Sequence, residues 1–407
     1  MPQALELLLG SALGLVQAKA ELPDLAGLGS PPVFSLSPSC ELTNSLRQKG
    51  YAYVRYFLAL PSHNKPRWLL PIGTSCGMLP ASQIYLPHRR TARILKSLVV
   101  RIIKTGWDGW LCSRVLIASR DPLPLESLVR DITGEQRPVF ALSFGRQPAF
   151  RKLTVQVMSP SGDVLGYMKL PLTDPAIDRV RNEAAILERL WKFPTLRPHI
   201  PRPFYAGNWN NTYVLFQSPL EGEAGPISFN GLHEKFLRTL WNVRTVERPG
   251  QALIDDVAAN WGKAAPILGG KWNDLGQEVL RRSTRDLQGK MLQYSVMHGD
   301  FAPWNTRVRQ GELLLFDWES ADWEAPSSWD IFHFRVQTAS HFKRNSGRCL
   351  PSNLARPETT SFMLYLLNSV CQYLLEGNYN AIGFRQKLLT SQLREKNILR
   401  GSRASAA

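Results

Sequence analysis

The chain has 407 residues, 44% hydrophobic and 20% charged, the composition of an ordinary globular protein with room for two or three domains. A net charge of +16 suits nucleic acid, an anionic membrane or anionic substrates, but no nucleic-acid-binding motif accompanies it, and no nucleic-acid partner is expected. Five cysteines (Cys40, Cys76, Cys112, Cys349, Cys371), odd in number and without a CxxC, argue against a zinc site and a disulfide framework and favour a reducing compartment.

Leu5 to Val16 contains Glu6, lacks a basic flank and is too short to span a bilayer, so it reads as an amphipathic helix; a cytoplasmic location is expected. Residues 21–50, rich in Pro, Ser, Gly and Leu, read as loop or linker. Tyr51 to Leu60 reads as a strand, with Arg67 to Ile72 as its partner. His88 to Thr105 predicts an amphipathic helix: Ile94, Leu95, Leu98, Val99, Ile102 and Ile103 recur at helical spacing beside a face of Arg and Lys. That basic face is read as solvated. The sharper alternative is weak contact with an anionic membrane or polysaccharide through residues 88–105.

From residue 138 the texture changes. Pro138 to Ser143, Arg151 to Met158 and Val164 to Leu170 predict three strands, the last two joined by a turn at 159–163. A helix follows from Pro175 to about Trp191, with Asp174 as N-cap and Pro175 in the first helical position. Two short strands, Phe204 to Gly207 and Thr212 to Phe216, flank an Asn-rich turn. The remainder predicts helices at 232–243, 252–260, 275–294, 328–342, 359–375 and 381–399, with one hairpin pairing 306–309 with 313–316. The basic segment Arg385 to Arg403 reads as a solvated helix face with a frayed tail.

The densest chemistry lies in His298-Gly299-Asp300-Phe301-Ala302-Pro303-Trp304-Asn305, followed by Leu313-Leu314-Leu315-Phe316-Asp317-Trp318-Glu319. Asp300, Asn305 and Asp317 stand at +0, +5 and +17. A loop containing Gly and Pro lets Asp300 and Asn305 point at one focus, and the hairpin carries Asp317 back beside them. Phosphoryl transfer from a nucleotide needs such a trio. One carboxylate accepts or orients the acceptor hydroxyl's proton, while a carboxamide oxygen and a second carboxylate hold Mg²⁺ on the triphosphate. Taken singly, the same residues would be turn-formers and a strand cap. Glu319, Asp322 and Glu324 add negative charge, either as exposed loop charge or as acids facing a cationic acceptor.

The HGDxxxxN pattern followed by FDWE resembles the catalytic loop of the aminoglycoside phosphotransferase and choline kinase family, which shares the protein-kinase fold. The resemblance covers residues 138–345 and is densest at 296–333. It implies an α+β, two-lobed protein-kinase-like fold. Residues 136–220 would form the small lobe, 221–400 the helical lobe with the catalytic loop, and 1–135 an extra N-terminal α/β region of unknown role. It implies Asp300 as catalytic base or acceptor-orienting residue, Asn305 and Asp317 as Mg²⁺ ligands, His298 as a scaffold residue in preference to a proton shuttle, and Asp330 as a brace for the loop. ATP and Mg²⁺ would be the cofactors. The acceptor would be a small hydroxylated molecule: a sugar, a glycan end, an amino alcohol or an aminoglycoside-like compound.

Kinase-fold enzymes anchor the nucleotide phosphates with a strand lysine paired to a helix glutamate. Lys169 ends the third strand among apolar neighbours, where an unpaired ammonium is costly. Glu183 shares its helical face with Val180, Leu187 and Leu190, and an acid on an apolar stripe wants a buried partner. Lys169 and Glu183 are therefore the natural pair. The loop 144–150 would cover the phosphates, but it has a single glycine, Gly145, and departs from GxGxxG. Gln217 opens the hinge segment 217–220 that would meet the base. The sparse glycine loop and the added N-terminal region motivate one alternative: a non-catalytic nucleotide-binding or scaffold protein on the same frame.

Overall fold

The computed structural model describes residues 10, 16–17, 31–36, 38–62, 66–73, 78–84, 94, 96–98, 100–101, 113–145, 148–210, 212–342 and 356–404. The amphipathic stretch expected over Leu5 to Val16 lies largely outside them. So does the helix expected over His88 to Thr105, except that residues 94, 96–98 and 100–101 are helical. The chain divides into two compact units. One comprises Met1–Lys192 with Ile200–Ala224, the other Phe193–His199 with Gly225–Ala407.

Among the described residues, the first unit is built on one ten-stranded sheet. Its strands are β1 (Val16–Gln17), β2 (Val33–Ser35), β3 (Tyr53–Leu60), β4 (Trp68–Ile72), β5 (Ser113–Ser119), β6 (Val139–Phe144), β7 (Lys152–Met158), β8 (Val164–Pro171), β9 (Pro203–Trp209) and β10 (Thr212–Gln217). Their order is β1-β2-β5-β3-β4-β6-β7-β8-β10-β9. The antiparallel run β6-β7-β8-β10-β9, interrupted in sequence by one helix after β8, is the strand order of a kinase-like small lobe. The sheet does not stop there: β4 pairs with β6 through Trp68↔Ser143 and Leu69↔Leu142, so the N-terminal strands continue it.

Alternation of side chains fixes what each face of this sheet carries. Val155, Met168 and Phe216 stand in register across β7, β8 and β10 and join a cluster with Leu142, Phe57 and Val115. Helix α2 (Pro124–Thr133), with α1 (Cys40–Gln48) preceding it in the chain, supplies Leu125 and Val129 to that cluster. Thr154, Lys169 and Leu215 fall on the opposite face. Helix α3 (Asp174–Leu190) packs against β8, β9 and β10. Its N-cap is Thr173 rather than the expected Asp174. Asp174 instead takes a place in the first turn, where a carboxylate favours the positive end of the helix dipole.

The second unit contains α4 (Gly231–Trp241), β11 (Thr245–Pro249), α5 (Gly250–Leu268), α6 (Gly270–Leu287), β12 (Met291–Met297), β13 (Thr306–Arg309), β14 (Glu312–Leu315), β15 (Asp322–Pro326), α7 (Trp329–His341), α8 (Arg356–Leu375) and α9 (Tyr379–Ala404). Val257, Trp261, Val279, Leu287, Phe362, Leu366 and Leu389 belong to its shared core. The helix expected over 275–294 ends at Leu287. Gly289 turns the chain with φ 67°, and Met291–Met297 runs as a strand between β11 and β15. Tyr294, Ser295 and Val296 are buried there, so distant strand partners override a local pattern that could be read as helix. Arg385 also departs from expectation. It is fully buried on α9, not part of a solvated face.

Sheet pairing explains why the 298–317 region is compact. β12 delivers the chain to His298, and its last residue Met297 pairs with Asp322 of β15. The hairpin β13–β14 (Thr306↔Leu315) occupies the interval, so the start and the end of the segment are held together. Beneath the loop lies an aromatic cluster: the Phe301 ring is 5.8 Å from His233, 5.7 Å from Phe334 and 6.2 Å from Phe236.

Burial lowers the pKa of His233 to about 4. The folded protein therefore keeps this ring neutral while the unfolded chain protonates it near 6.5. Its contribution is fully present above pH 6.5 and is lost as pH falls toward 4, a loss of up to about 3 kcal/mol. Denaturant midpoints measured between pH 7 and pH 4.5 should fall, and His233→Gln should flatten the fall.

Candidate functional site

The loop at 298–305 is shaped by a buried carboxylate. Asp330, near the start of α7, accepts the backbone N–H of His298 through Oδ2 at 2.8 Å and that of Gly299 through Oδ1 at 3.0 Å. Burial pushes the Asp330 pKa up, opposed by His298 and by these two backbone donors. Gly299 adopts φ 79°, and a Cβ there would lie 2.1 Å from the Ser320 carbonyl oxygen. Only glycine fits this turn.

His298 is fully buried and its pKa is lowered by desolvation, against the pull of Asp330, Asp300 and Asp317. Desolvation thus outweighs the pull of three carboxylates. His298 Nδ1 accepts the Asp300 N–H at 3.2 Å, so the hydrogen resides on Nε2, which donates to the Phe316 carbonyl at 3.1 Å. One side chain thereby ties the residue before Asp317 to the backbone of Asp300. The Trp318 ring packs 4.7 Å from His298, and its Nε1 donates to Leu315 O at 3.1 Å.

Asp300 and Asn305 are in direct contact. Asn305 Nδ2 donates to the Asp300 carbonyl oxygen at 2.9 Å and to Asp300 Oδ2 at 2.8 Å. Both of these atoms are obligate acceptors, which assigns the amide nitrogen and leaves Asn305 Oδ1 as the group still offered to a ligand. The Phe316 N–H donates to the Asn305 carbonyl at 3.1 Å, placing Asp317 next in the chain to Asn305's partner. Asp317 has φ 71° and ψ 60°, a left-handed conformation that costs a non-glycine residue about 1 kcal/mol or more. Carboxylate oxygens of Asp317 and Glu319 lie within 4.8 Å of each other. Asp317 and Glu319 offer only oxygen, as does the amide Oδ1 of Asn305, and oxygen donors suit Mg²⁺.

Glu324 is committed elsewhere. It is ion-paired to Arg244 at 2.6 Å and to Arg248, and these arginines, with the Arg244 hydrogen bond foremost, hold its pKa below the usual carboxylate range. Asp322 Oδ1 accepts the Glu324 N–H at 2.9 Å. These two acids serve the local fold, which weakens the case for an acidic binding patch at 319–324.

In the first unit, Lys169 Nζ lies 2.7 and 2.6 Å from the two Glu183 oxygens, with the residues 5% and 0% exposed. Gly145 follows β6, and its N–H donates to Lys152 O at 2.9 Å; a Cβ there would meet Lys152 backbone at 3.2 Å. Gln217 ends β10 in register with Tyr167 and is buried, its side-chain Oε1 without a partner among the described residues. Sequence reasoning missed one site residue, His333. Its Nε2 is 3.0 Å from Asp300 Oδ1. The available signal was its place three residues after Asp330 on the same helical face.

No protein-family model and no curated protein matches the chain. Among solved structures it is similar to aminoglycoside phosphotransferase APH(4)-Ia, with 12% identity over 67% of this chain and 98% of that one and a TM-score of 0.45. The GDP complex of wild-type aminoglycoside 2'-phosphotransferase-IIIa gives 12% identity, 66% and 97% coverage and 0.45. Spectinomycin phosphotransferase APH(9)-Ia, in complex with ADP and spectinomycin, gives 12%, 67%, 93% and 0.40. The likeness is one of fold alone, and the chemistry of the site is carried by its own side chains.

Glu183→Ala leaves the buried Lys169 ammonium without its carboxylate and should cost about 3–5 kcal/mol in chemical denaturation. Gly299→Ala should cost at least about 2 kcal/mol and lower Tm by several degrees, because the new Cβ meets backbone at a left-handed position.

Proposed function

We propose that the protein is an MgATP-dependent phosphotransferase that moves the γ-phosphoryl group to a hydroxyl of a small molecule. One observation carries this reading: Asp300, its side chain 34% exposed, accepts the Asn305 amide N–H groups through its carbonyl and Oδ2, which leaves Asn305 Oδ1 for a ligand in the same segment that ends on the strained Asp317. A solvent-facing carboxylate beside oxygen donors is what transfer to an alcohol requires. A purely structural loop would have no need to strain Asp317 or to commit both amide hydrogens of Asn305.

In this reading Asp300 accepts a hydrogen bond from the acceptor hydroxyl and takes up its proton as the new P–O bond forms and the bond from the γ-phosphorus to the bridging oxygen of the ADP leaving group breaks. Asn305 Oδ1 and Asp317, with Glu319 nearby, hold Mg²⁺. When bound, that ion neutralises charge on the phosphates. Asp330 and His298 keep the loop in place. Lys169, oriented by Glu183, contributes a positive charge to the nucleotide phosphates, with Gly145 and the Gln217 backbone as further nucleotide contacts. Most of the rate gain comes from positioning and electrostatics.

The acceptor is a small alcohol. Because Glu324 and Asp322 are engaged with Arg244, Arg248 and backbone, an uncharged acceptor such as a sugar or glycan end fits better than a polycation. No helix among the described residues is long and apolar enough to cross a membrane.

Asp300→Ala should lower MgATP consumption against a library of hydroxylated compounds by about 10²–10⁴-fold, while calorimetric MgATP affinity stays within a few-fold of wild type. Undiminished turnover in that variant would remove Asp300 from the mechanism.

A further inference from the structure

Behind Asp300 a line of buried polar groups runs into the helical core. His333 on α7 faces Asp300 Oδ1 through Nε2 at 3.0 Å. Its other ring nitrogen, Nδ1, is 3.1 Å from the Tyr365 hydroxyl on α8. Gln337, one turn along α7, places its carboxamide 3.2 Å from His333 Nε2 and against the Tyr373 hydroxyl; a hydrogen on Nε2 requires the amide oxygen, not the amide nitrogen, to face both groups, so the carboxamide is turned over in that tautomer. Arg385 on α9 closes the line. Its guanidinium lies 4.0 Å from the Tyr373 ring centroid, and its Nε donates to Ser369 Oγ at 2.7 Å.

Arg385 is the unusual member. It is 0% exposed and its Nη1 donates to Ala381 O at 3.2 Å, but among the described residues its Nη2 has no hydrogen-bond partner and no carboxylate pairs with it. A buried, uncompensated guanidinium is expensive, and a fold that keeps one has a use for the charge. The charge acts on Tyr365 and Tyr373, opposing the burial that raises both phenols' pKa, and Asp300 acts on the same two phenols with opposite sign. The Arg385 charge favours a Tyr365 hydroxyl whose lone pairs face it. The hydroxyl hydrogen is then left for His333 Nδ1. An Nδ1 that accepts puts the ring hydrogen on Nε2, where it donates to Asp300.

We propose that His333 is a positioning residue for Asp300, a neutral Nε2–H donor whose tautomer is set from within the core by Tyr365 and Arg385. The inference rests on the phosphotransferase reading for its consequence, although not for its geometry. With Asn305 on Oδ2 and His333 on Oδ1, each carboxylate oxygen is tethered by one uncharged donor. Rotation of the carboxylate is blocked and its negative charge is retained. An imidazolium in the same place would also orient Asp300 but would offset its charge, which a proton acceptor needs.

The test uses the full-length ¹⁵N-labelled protein and long-range ¹H–¹⁵N correlation of the histidine rings at pH 7.5, with His333 assigned by its loss in His333→Gln. The expected spectrum is that of the neutral Nε2–H tautomer, changing to a mixture or the other form in Tyr365→Phe. A doubly protonated ring, an Nδ1–H ring, or a wild-type pattern that survives Tyr365→Phe overturns the proposal. A kinetic arm compares His333→Leu with His333→Gln, whose amide N–H can replace the Nε2 donor. MgATP consumption should fall about 10- to 100-fold in the first, with MgATP affinity unchanged, and recover substantially in the second. Equal loss in both variants also overturns it. If wild type consumes no ATP, the phosphotransferase reading fails while the tautomer measurement still decides the assignment of His333.

Discussion

A buried carboxylate accepting two consecutive backbone N–H groups holds the 298–305 loop in shape. Asp330 is 1% exposed, and its hydrogen bonds to His298 and Gly299 fix the one turn that only glycine can make there. Everything polar in the site follows from that turn. With Gly299 left-handed, the Asp300 N–H meets His298 Nδ1, the His298 ring spans to Phe316, and Asn305 folds back onto Asp300. Removing a buried acceptor from two backbone donors would strand both of them, at a cost of about 1–3 kcal/mol each.

The second constraint is the separation of structural from presented charge. Asp330, Glu324 and Asp322 are consumed by backbone and arginine partners, whereas Asp300 keeps an exposed edge. A net charge of +16 says nothing about this local arrangement. The same division holds in the first unit. There, Lys169 and Glu183 form a buried pair on the sheet face opposite the main apolar cluster, and that cluster gives the pair a rigid backing.

What could be read from residue order was whatever depends on short spacing. The HGD turn, Asn305 five residues on and the hairpin that returns Asp317 are local features, and Lys169 and Glu183 were marked by charges placed on apolar elements. Contacts that depend on distant partners were not legible. β12 looked helical because its strand neighbours, β11 and β15, lie some 45 residues before it and 30 after it. Arg385 looked solvated because its partners sit on α8, sixteen residues back for Ser369. The joining of the N-terminal strands to the kinase-like strands rests on two residue pairs between β4 and β6, for which no local pattern exists. Thr173 displaced Asp174 as N-cap by a single residue, the scale at which helix ends are set by geometry more than by residue type.

The proposed function requires Asn305 and Asp317 to present oxygens to one divalent ion that carries a nucleotide. Calorimetric titration of ATP with and without Mg²⁺, on wild type and on Asp317→Asn, addresses it most directly. The account predicts metal-dependent ATP binding in wild type that is lost or strongly weakened in the variant. Equal ATP affinity in the presence and absence of Mg²⁺, or metal dependence untouched by Asp317→Asn, would contradict it.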